Sequence, residues 1–434
     1  MPDFLLIIIV GTVFFLLLLS GLYIHSVLLA VGIIGLILVE GTAILPGFLR
    51  NDPFIQAASY TLTTIPLFVL MAQFILQAGI VRDMFTIVYN ISRGKTGMLG
   101  ALTIIVGGLL GAVSGSGTAT SASLGQVAVP ELKKHGFKDS LAGAVAAAGG
   151  SLSGIIPPSI ILILYGVITE TPIGDLFIGA IIPGVMIMFV FIGCMFYWLN
   201  KTKSEDVTGE VIKYKHIDTS RIFIVTFVGL FIATIIFGGI YAGFVTPTEA
   251  GAVGAFAAFI AALILGKVNK TFLINSFNET IKVTGMVILI LIGAKIFSRF
   301  VSLSLLPRKL VEMMGPLIEY PALVLMILTV VFFVLFMFIE GAAVILMTLP
   351  VLLPIIQMMN VDVLWFGIFV SVICTLGLIT PPVGLSVYAV SSVSKISVES
   401  VFRYTTVFAV VVAVVVCGLL IIFPALATWL PSTM

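Results

Sequence analysis

A stretch running from Pro130 to the pair Pro157-Pro158 is repeated as Pro354 to Pro381-Pro382, with the pair 27 residues after the first proline in each copy. The copies stand 224 residues apart, and at that offset Gly117 falls on Gly341 and Gly143 on Gly367. Each copy opens on a small-residue break inside an apolar stretch: Ser114-Gly115-Ser116-Gly117-Thr118 in the first, Glu340-Gly341-Ala342-Ala343 in the second. Each closes on another, Gly154-Ile155-Ile156-Pro157-Pro158 or Gly377-Leu378-Ile379-Thr380-Pro381-Pro382. Paired interruptions at corresponding places of two halves point to the binding site of a secondary transporter.

The solvent of such a fold follows from composition. With 60% hydrophobic and 9% charged residues, the 434-residue chain carries more apolar surface than a water-soluble core can bury. It reads as an all-α polytopic membrane protein of roughly ten spans, each about 20 apolar residues long. A net charge of +2 and the lack of a basic patch interleaved with aromatics argue against a nucleic-acid partner; the lipid bilayer is the expected one. Met1 to Ser20 has Asp3 and no basic residue ahead of its apolar run, so it reads as a retained first helix rather than a signal peptide. Cys194, Cys374 and Cys417 are expected to be small buried hydrophobes, and His25, His135 and His216 lack metal-ligand spacing.

Apolar runs give two repeats. Residues 1–200 form the first, with helices 3–46, a span 54–89, a broken element 98–132, a broken helix 138–168 and a span 175–199. Residues 201–220 form a polar linker. Residues 221–434 form the second, with helices 221–266, a span 272–303, a broken element 321–358, a broken helix 362–394 and a last span 404–430. From Ala101 to Ser114 is about 21 Å of helix, short of the roughly 30 Å hydrocarbon core. The predicted shape is therefore a re-entrant helical hairpin at 98–132, with one long kinked helix as the alternative. Arg93, Lys95, Lys133, Lys134 and Lys138 flank it and place both its ends in the cytoplasm. Lys201, Lys203, Lys213, Lys215 and Arg221 place the linker there too. Counting spans onward, the hairpin at 321–358 enters from the outside, although Arg308 and Lys309 precede it. The repeats then have inverted topology, with opposed re-entrant hairpins.

Backbone at a hairpin tip is tolerated inside a membrane only where protein buries it or a wet cavity borders it. Unwound carbonyls with Ser and Thr hydroxyls suit Na⁺, and half-helix N-termini suit a carboxylate. The candidate Na⁺ positions are Ser114, Ser116, Gly117, Thr118, Gly154, Pro157, Gly341, Thr375, Gly377, Thr380 and Pro381, with Ser151 and Ser153 beside the first break. The alternative for each small residue is close helix packing. Ser116, Lys295, Arg299 and Glu340 are the candidate substrate contacts. Lys295 and Arg299 lie four apart on one helical face, where they either meet an anionic substrate or snorkel to the outer interface. Glu340 either binds a cation or pairs with one of these bases. Thr246 or Thr248 with Glu249 reads as a helix cap. No nucleophile–base pair and no phosphate loop is visible: SGSGT lacks the first glycine of G-x-S-x-G, and Gly-Lys-Ser/Thr is absent. The chain is not expected to be an enzyme.

In GAVSGSGTATSASLGQVAVPELKKHGF, GGSLSGIIPPSIILILYG, GIYAGFVTPTEAGAVGA and LGLITPPVGLSVYAV the chain resembles the large membrane subunit of tripartite ATP-independent periplasmic (TRAP) transporters, the DctM/SiaM type. The resemblance covers essentially the whole chain. It implies an elevator-type transporter of the bacterial inner (cytoplasmic) membrane, coupled to Na⁺ and carrying an organic acid of the sialic acid or C4-dicarboxylate class. It further implies two partners, a small four-helix membrane subunit, expected as a separate chain, and a soluble periplasmic substrate-binding protein. The tips and Pro-Pro breaks would belong to the moving domain, and 3–46 with 221–266 to a static scaffold. A stand-alone Na⁺-coupled anion transporter of similar repeat architecture is the nearest alternative; an intramembrane enzyme and a channel are more distant ones.

Overall fold

A computed structural model describes residues 3–93, 95–202, 219–315, 317 and 320–434. Most of the predicted linker 201–220, with Lys203, Lys213 and Lys215, lies outside the described residues. The described residues are helical throughout, with no strand, and eight of their helices are long and apolar enough to cross a membrane. The first repeat comprises α1 (Asp3–Leu19), α2 (Ile24–Glu40), α3 (Leu45–Ala57), α4 (Thr64–Gln77), α5 (Ile80–Ser92), α6 (Thr96–Ser114), α7 (Gly117–Lys134), α8 (Asp139–Ser151), α9 (Ile160–Thr169), α10 (Ile173–Gly179) and α11 (Ile181–Lys201). The second comprises α12 (Thr219–Ala233), α13 (Pro247–Ile264), α14 (Lys270–Leu303), α15 (Leu306–Met314), α16 (Pro321–Phe338), α17 (Gly341–Met358), α18 (Val363–Gly377), α19 (Leu385–Ser394) and α20 (Val398–Val412), followed by short helical turns.

Three expected boundaries are corrected. Within the predicted helices 3–46, α2 ends at Glu40, because Gly41 takes a left-handed φ of 80°, and α3 starts afresh at Leu45. The run 54–89 is cut at Gly79, whose φ of 76° lets α4 turn into α5. Hydropathy could not mark that turn, since Ala78-Gly79 is as apolar as its flanks. The first hairpin arm, α6, has 19 residues rather than 14. At about 28 Å it nearly matches the hydrocarbon core, so its return rests on direction and not on length.

That direction is unambiguous. Gly107 of α6 packs on Gly149 of α8 and Gly111 on Ser153, so α6 and α8 are parallel. Gly117 of α7 lies against Ser153, Ser121 against Gly150, and Lys133 pairs with Asp139 at 2.7 Å, so α7 is antiparallel to both. Gly100, early in α6, meets Phe137, just past the end of α7. Residues 96–134 are a hairpin that leaves by the face it entered, which excludes a single kinked helix. Its tip is built by Gly115 at φ 61°, the left-handed close of α6, and by Ser116, whose Oγ accepts from the Ala119 N–H at 3.4 Å and caps α7.

The second hairpin repeats this plan. Phe332 packs on Phe366 and Phe336 on Gly377, aligning α16 with α18, while Gly341 at the start of α17 meets Cys374 near the end of α18. Both α7 and α17 have 18 residues and begin at equivalent glycines. Between repeats the direction reverses. Tyr165 Oη of α9 donates to the Val363 carbonyl at 2.7 Å and its ring covers Gly367, whereas Ile161 of α9 lies at Gly341. Gly143 of α8 meets Ile396, beyond α19, and Gly117 of α7 faces Ser386 at its start. The broken element α8–α9 thus runs antiparallel to α18–α19, and the hairpins approach mid-fold from opposite faces, as inverted repeats require.

The remaining helices pack in an exchanged pair. Gly32 and Gly35 of α2 receive Phe297 and Phe300 of α14; Gly251 and Gly254 of α13 receive Phe68 and Met71 of α4. Glycine lets backbones approach where the bilayer gives no hydrophobic drive for association. Thr246 caps α13 in a reciprocal box with Glu249, while Thr248 instead hydrogen-bonds Thr64 at 2.7 Å. Trp365 is buried, with Nε1 donating to the Leu420 carbonyl at 3.1 Å.

Candidate functional site

The hairpin tips and helix breaks converge on one cavity of about 210 Å³. Gly115, Ser116, Gly117 and Thr118 line it from the first tip and Glu340, Gly341 and Ala342 from the second. Ser153 and Gly154 reach it from the first break, Cys374 and Leu378 from the second, and Val283, Met286 and Val287 of α14 close the far wall. Glycine keeps the contacts between these parts close. A Cβ on Gly154 would sit 2.8 Å from Thr375 Oγ1, one on Gly341 2.6 Å from Cys374 Sγ, and one on Gly117 3.0 Å from Ser153 Oγ.

Polar groups are concentrated at the first tip. Ser116 and Thr118 hydroxyls lie 3.2 Å apart. Ser114 stands behind them: its Oγ accepts from the Ser116 N–H at 3.2 Å and shares a hydrogen bond of 2.5 Å with Thr120. At the equivalent place of the second tip, Glu340 caps α17 by accepting from the Ala343 N–H at 3.3 Å. Two helix N-termini, with their partial positive charge, therefore open onto one space, one fringed by hydroxyls and the other by a carboxylate. Such a cavity can hold a small anion against backbone N–H groups and cations against hydroxyl and carbonyl oxygens.

Of the residues singled out in the sequence, Ser116, Gly117, Thr118, Gly154, Glu340 and Gly341 meet at this cavity. Thr375 stands behind it, its hydroxyl donating to the Ser371 carbonyl at 3.0 Å, and Thr380 donates to the Leu376 carbonyl at 2.6 Å. Gly377 is a packing contact, with Phe336 backbone filling the space of its missing Cβ. The Pro157–Pro158 and Pro381–Pro382 bonds are both cis; Pro157 faces a separate apolar groove beside α12, and neither Pro157 nor Pro381 lines the cavity.

The structure does not bring Lys295 and Arg299 to the tips, nor does Glu340 pair with either. Arg299 is committed to Asp52 of α3, with Nε 3.1 Å from Oδ2 and Nη2 3.4 Å from Oδ1, and its guanidinium lies over the Phe48 ring at 5.3 Å. This is neither snorkelling nor substrate contact but a tie between α3 and α14. The carboxylate is 6% exposed and the guanidinium 45%, so solvent screens one end of the pair. Asp52→Ala is expected to lower stability by about 1–3 kcal/mol. A double-mutant cycle with Arg299→Gln, followed by thermal unfolding in detergent, checks this; strictly additive losses would deny the coupling. Lys295 lines a different cavity, of about 110 Å³, with Glu170.

Cys374 is a buried free cysteine, as expected, but its place in the cavity wall carried no signal in the sequence, nor did the apolar wall on α14. Asp52 was missed as well, because its partner lies 247 residues away and no local pattern marks it.

Residues 11–426 match the family described as the tripartite ATP-independent periplasmic transporter, DctM component. The chain is 28% identical over 417 residues to the sialic acid TRAP transporter large permease protein SiaM of Vibrio cholerae, covering 96% of each. It is 29% identical to the 2,3-diketo-L-gulonate TRAP transporter large permease protein YiaN of Escherichia coli, covering 85% of this chain and 87% of that protein. It is 28% identical to the C4-dicarboxylate TRAP transporter large permease protein DctM of Pseudomonas aeruginosa, covering 87% and 86%. Among solved structures, the Alcanivorax borkumensis YdaH transporter, described as having an unusual topology, superposes with a TM-score of 0.66 at 14% identity, covering 88% of this chain and 89% of that one.

Proposed function

The chain belongs to the tripartite ATP-independent periplasmic transporter family as its DctM component, the large subunit of a multi-pass inner-membrane permease, and from that premise we propose that it imports a carboxylate-bearing solute by Na⁺ symport. The observation that carries the reading is the convergence of both tips and both breaks on a single cavity. The start of α7, with Ser116 and Thr118, meets the substrate carboxylate. Ser153, the carbonyls of the two breaks and Glu340 take the coupling cations, whose charge offsets that of the anion inside the protein. The second tip receives its cations at Gly341. Substrates named for three of the relatives, sialic acid, 2,3-diketo-L-gulonate and C4-dicarboxylates, bear carboxylates and support that class, while isethionate, named for a relative from Oleidesulfovibrio alaskensis, is a sulfonate.

In this reading the tip-bearing body (α6–α9 and α16–α19) slides as an elevator past a scaffold containing the α2–α14 and α4–α13 pairs. A small four-helix subunit braces the scaffold, and a periplasmic binding protein delivers the solute. Reconstituted in proteoliposomes with both partners, the protein is expected to accumulate N-acetylneuraminate or succinate only when a Na⁺ gradient points inward. Uptake at equal rate without Na⁺ would sink the coupling, and uptake by this chain alone would favour a stand-alone transporter.

A further inference from the structure

The second cavity neighbours the first. Along α14 the tip cavity is walled by Val283, Met286 and Val287, and the smaller cavity begins one turn later at Leu291 and continues to Lys295 and Ser298. The same succession holds on α17, from Gly341 to Leu346 and Pro350, and on α9, from Ile161 to Glu170. The two cavities follow one another along the seam between α14 and the tip-bearing helices, with no lining residue in common. Lys295 lies eight residues, about 12 Å of helix, beyond Val287. It is on the side from which the second hairpin enters.

The chambers differ in character. The tip cavity is lined by no Lys, Arg or His, whereas the outer one holds Lys295 with Glu170, Gln56 and Ser298. Arg299, one turn further along the same face, has its charge spent on Asp52. Lys295 is exposed and, among the described residues, neither it nor Glu170 makes an ion pair. A lysine on α14, a helix that walls both chambers, is thus left uncommitted in the chamber next to the tips.

We propose that the Lys295 chamber is a first docking station for the carboxylate of an incoming anionic solute, with Lys295 a specificity-determining residue that admits anions to the seam. This rests on the reading of the tip cavity as the carboxylate's destination. Glu170, carried by the opposite wall, faces the same chamber and competes for the lysine, so that the bound anion is released inward rather than held. Since the ammonium is a point charge on a flexible stem, arginine can replace it in attracting an anion.

The test reads the field of the chamber without substrate or Na⁺. Ser298→Cys is placed in the full chain with Cys194, Cys374 and Cys417 changed to alanine. It is then labelled in proteoliposomes by a sulfonate-bearing and by a trimethylammonium-bearing methanethiosulfonate. The anionic reagent is expected to react faster, and Lys295→Gln to cut the anionic-to-cationic rate ratio about fivefold or more, with Lys295→Arg retaining it. A ratio unmoved by Lys295→Gln would overturn the proposal, as would a cysteine that reacts with neither reagent. Gln56→Cys supplies a second reporter with the same two outcomes if Ser298→Cys does not fold. Failure here leaves the tip-cavity reading standing, because labelling involves no transport; Na⁺-independent uptake would remove that reading while leaving the labelling ratios as they are.

Discussion

Gly150→Val is expected to leave almost no folded protein. Gly150 sits in α8 where α7 crosses it, and even a bare Cβ there would lie 2.0 Å from Ser121 Oγ and 2.7 Å from Ser121 N. The hydroxyl can rotate away, but the backbone nitrogen can move only with the whole helix. That helix is held from its other sides as well: Leu124 reaches Gly149, and Gly125 rests on Val390 and Val393. Overpacking a close contact costs about 1–3 kcal/mol when side chains can yield, and more when backbone must. That is a large fraction of the about 5–15 kcal/mol by which a folded protein is stable. Size-exclusion profiles of a fluorescent fusion, before and after heating, measure the loss. Gly193→Val in α11 is the control, since nothing lies within 4 Å of its missing Cβ and it should elute as the parent does. Equal behaviour of the two variants would mean that α7 and α8 are not in backbone contact.

A different outcome is expected of Gly341→Val at the second tip. There the added carbon meets Cys374 Sγ at 2.6 Å and Ile161 Cδ1 at 2.8 Å. Both are side-chain atoms, and Gly341 lines the cavity, so the protein should fold while the space between the tip and the second break is filled. Overpacking worth about 2 kcal/mol corresponds to roughly thirtyfold weaker binding of whatever the cavity holds. On the proposed Na⁺ symport with two partner proteins, uptake by the reconstituted system should fall by at least that factor, with the apparent Na⁺ requirement shifted upward. Wild-type uptake and Na⁺ dependence in a normally folded variant would detach the second tip from the transport site. Pairing the two experiments separates glycines that hold helices together from those that leave room for cargo.

Much of the architecture is legible in the chain because its signals are local. Apolar runs of membrane length mark helices, Gly115-Ser116-Gly117 marks a reversal, and a proline pair stops a helix wherever it stands. The offset of 224 residues then ties Ser116 to Glu340 and Gly117 to Gly341 as equivalent tip positions. Failures occur where a turn carries no polar residue, as at Ala78-Gly79, and where a charge has its partner far away in the sequence. Lys295 and Arg299 share one helical face and one reading in the sequence, yet Asp52 takes Arg299 and leaves Lys295.

Hydropathy and backbone freedom are properties of short segments, and they suffice to mark a duplicated, all-helical membrane protein whose two halves are interrupted at matching places. Helix packing adds that the first interrupted element turns back as a hairpin, that the four interruptions enclose one cavity with hydroxyls on one side and a carboxylate on the other, and which of two basic residues remains free. Those are facts about distances between segments far apart in the chain, set by how glycine-lined helices close on one another. No local pattern encodes them.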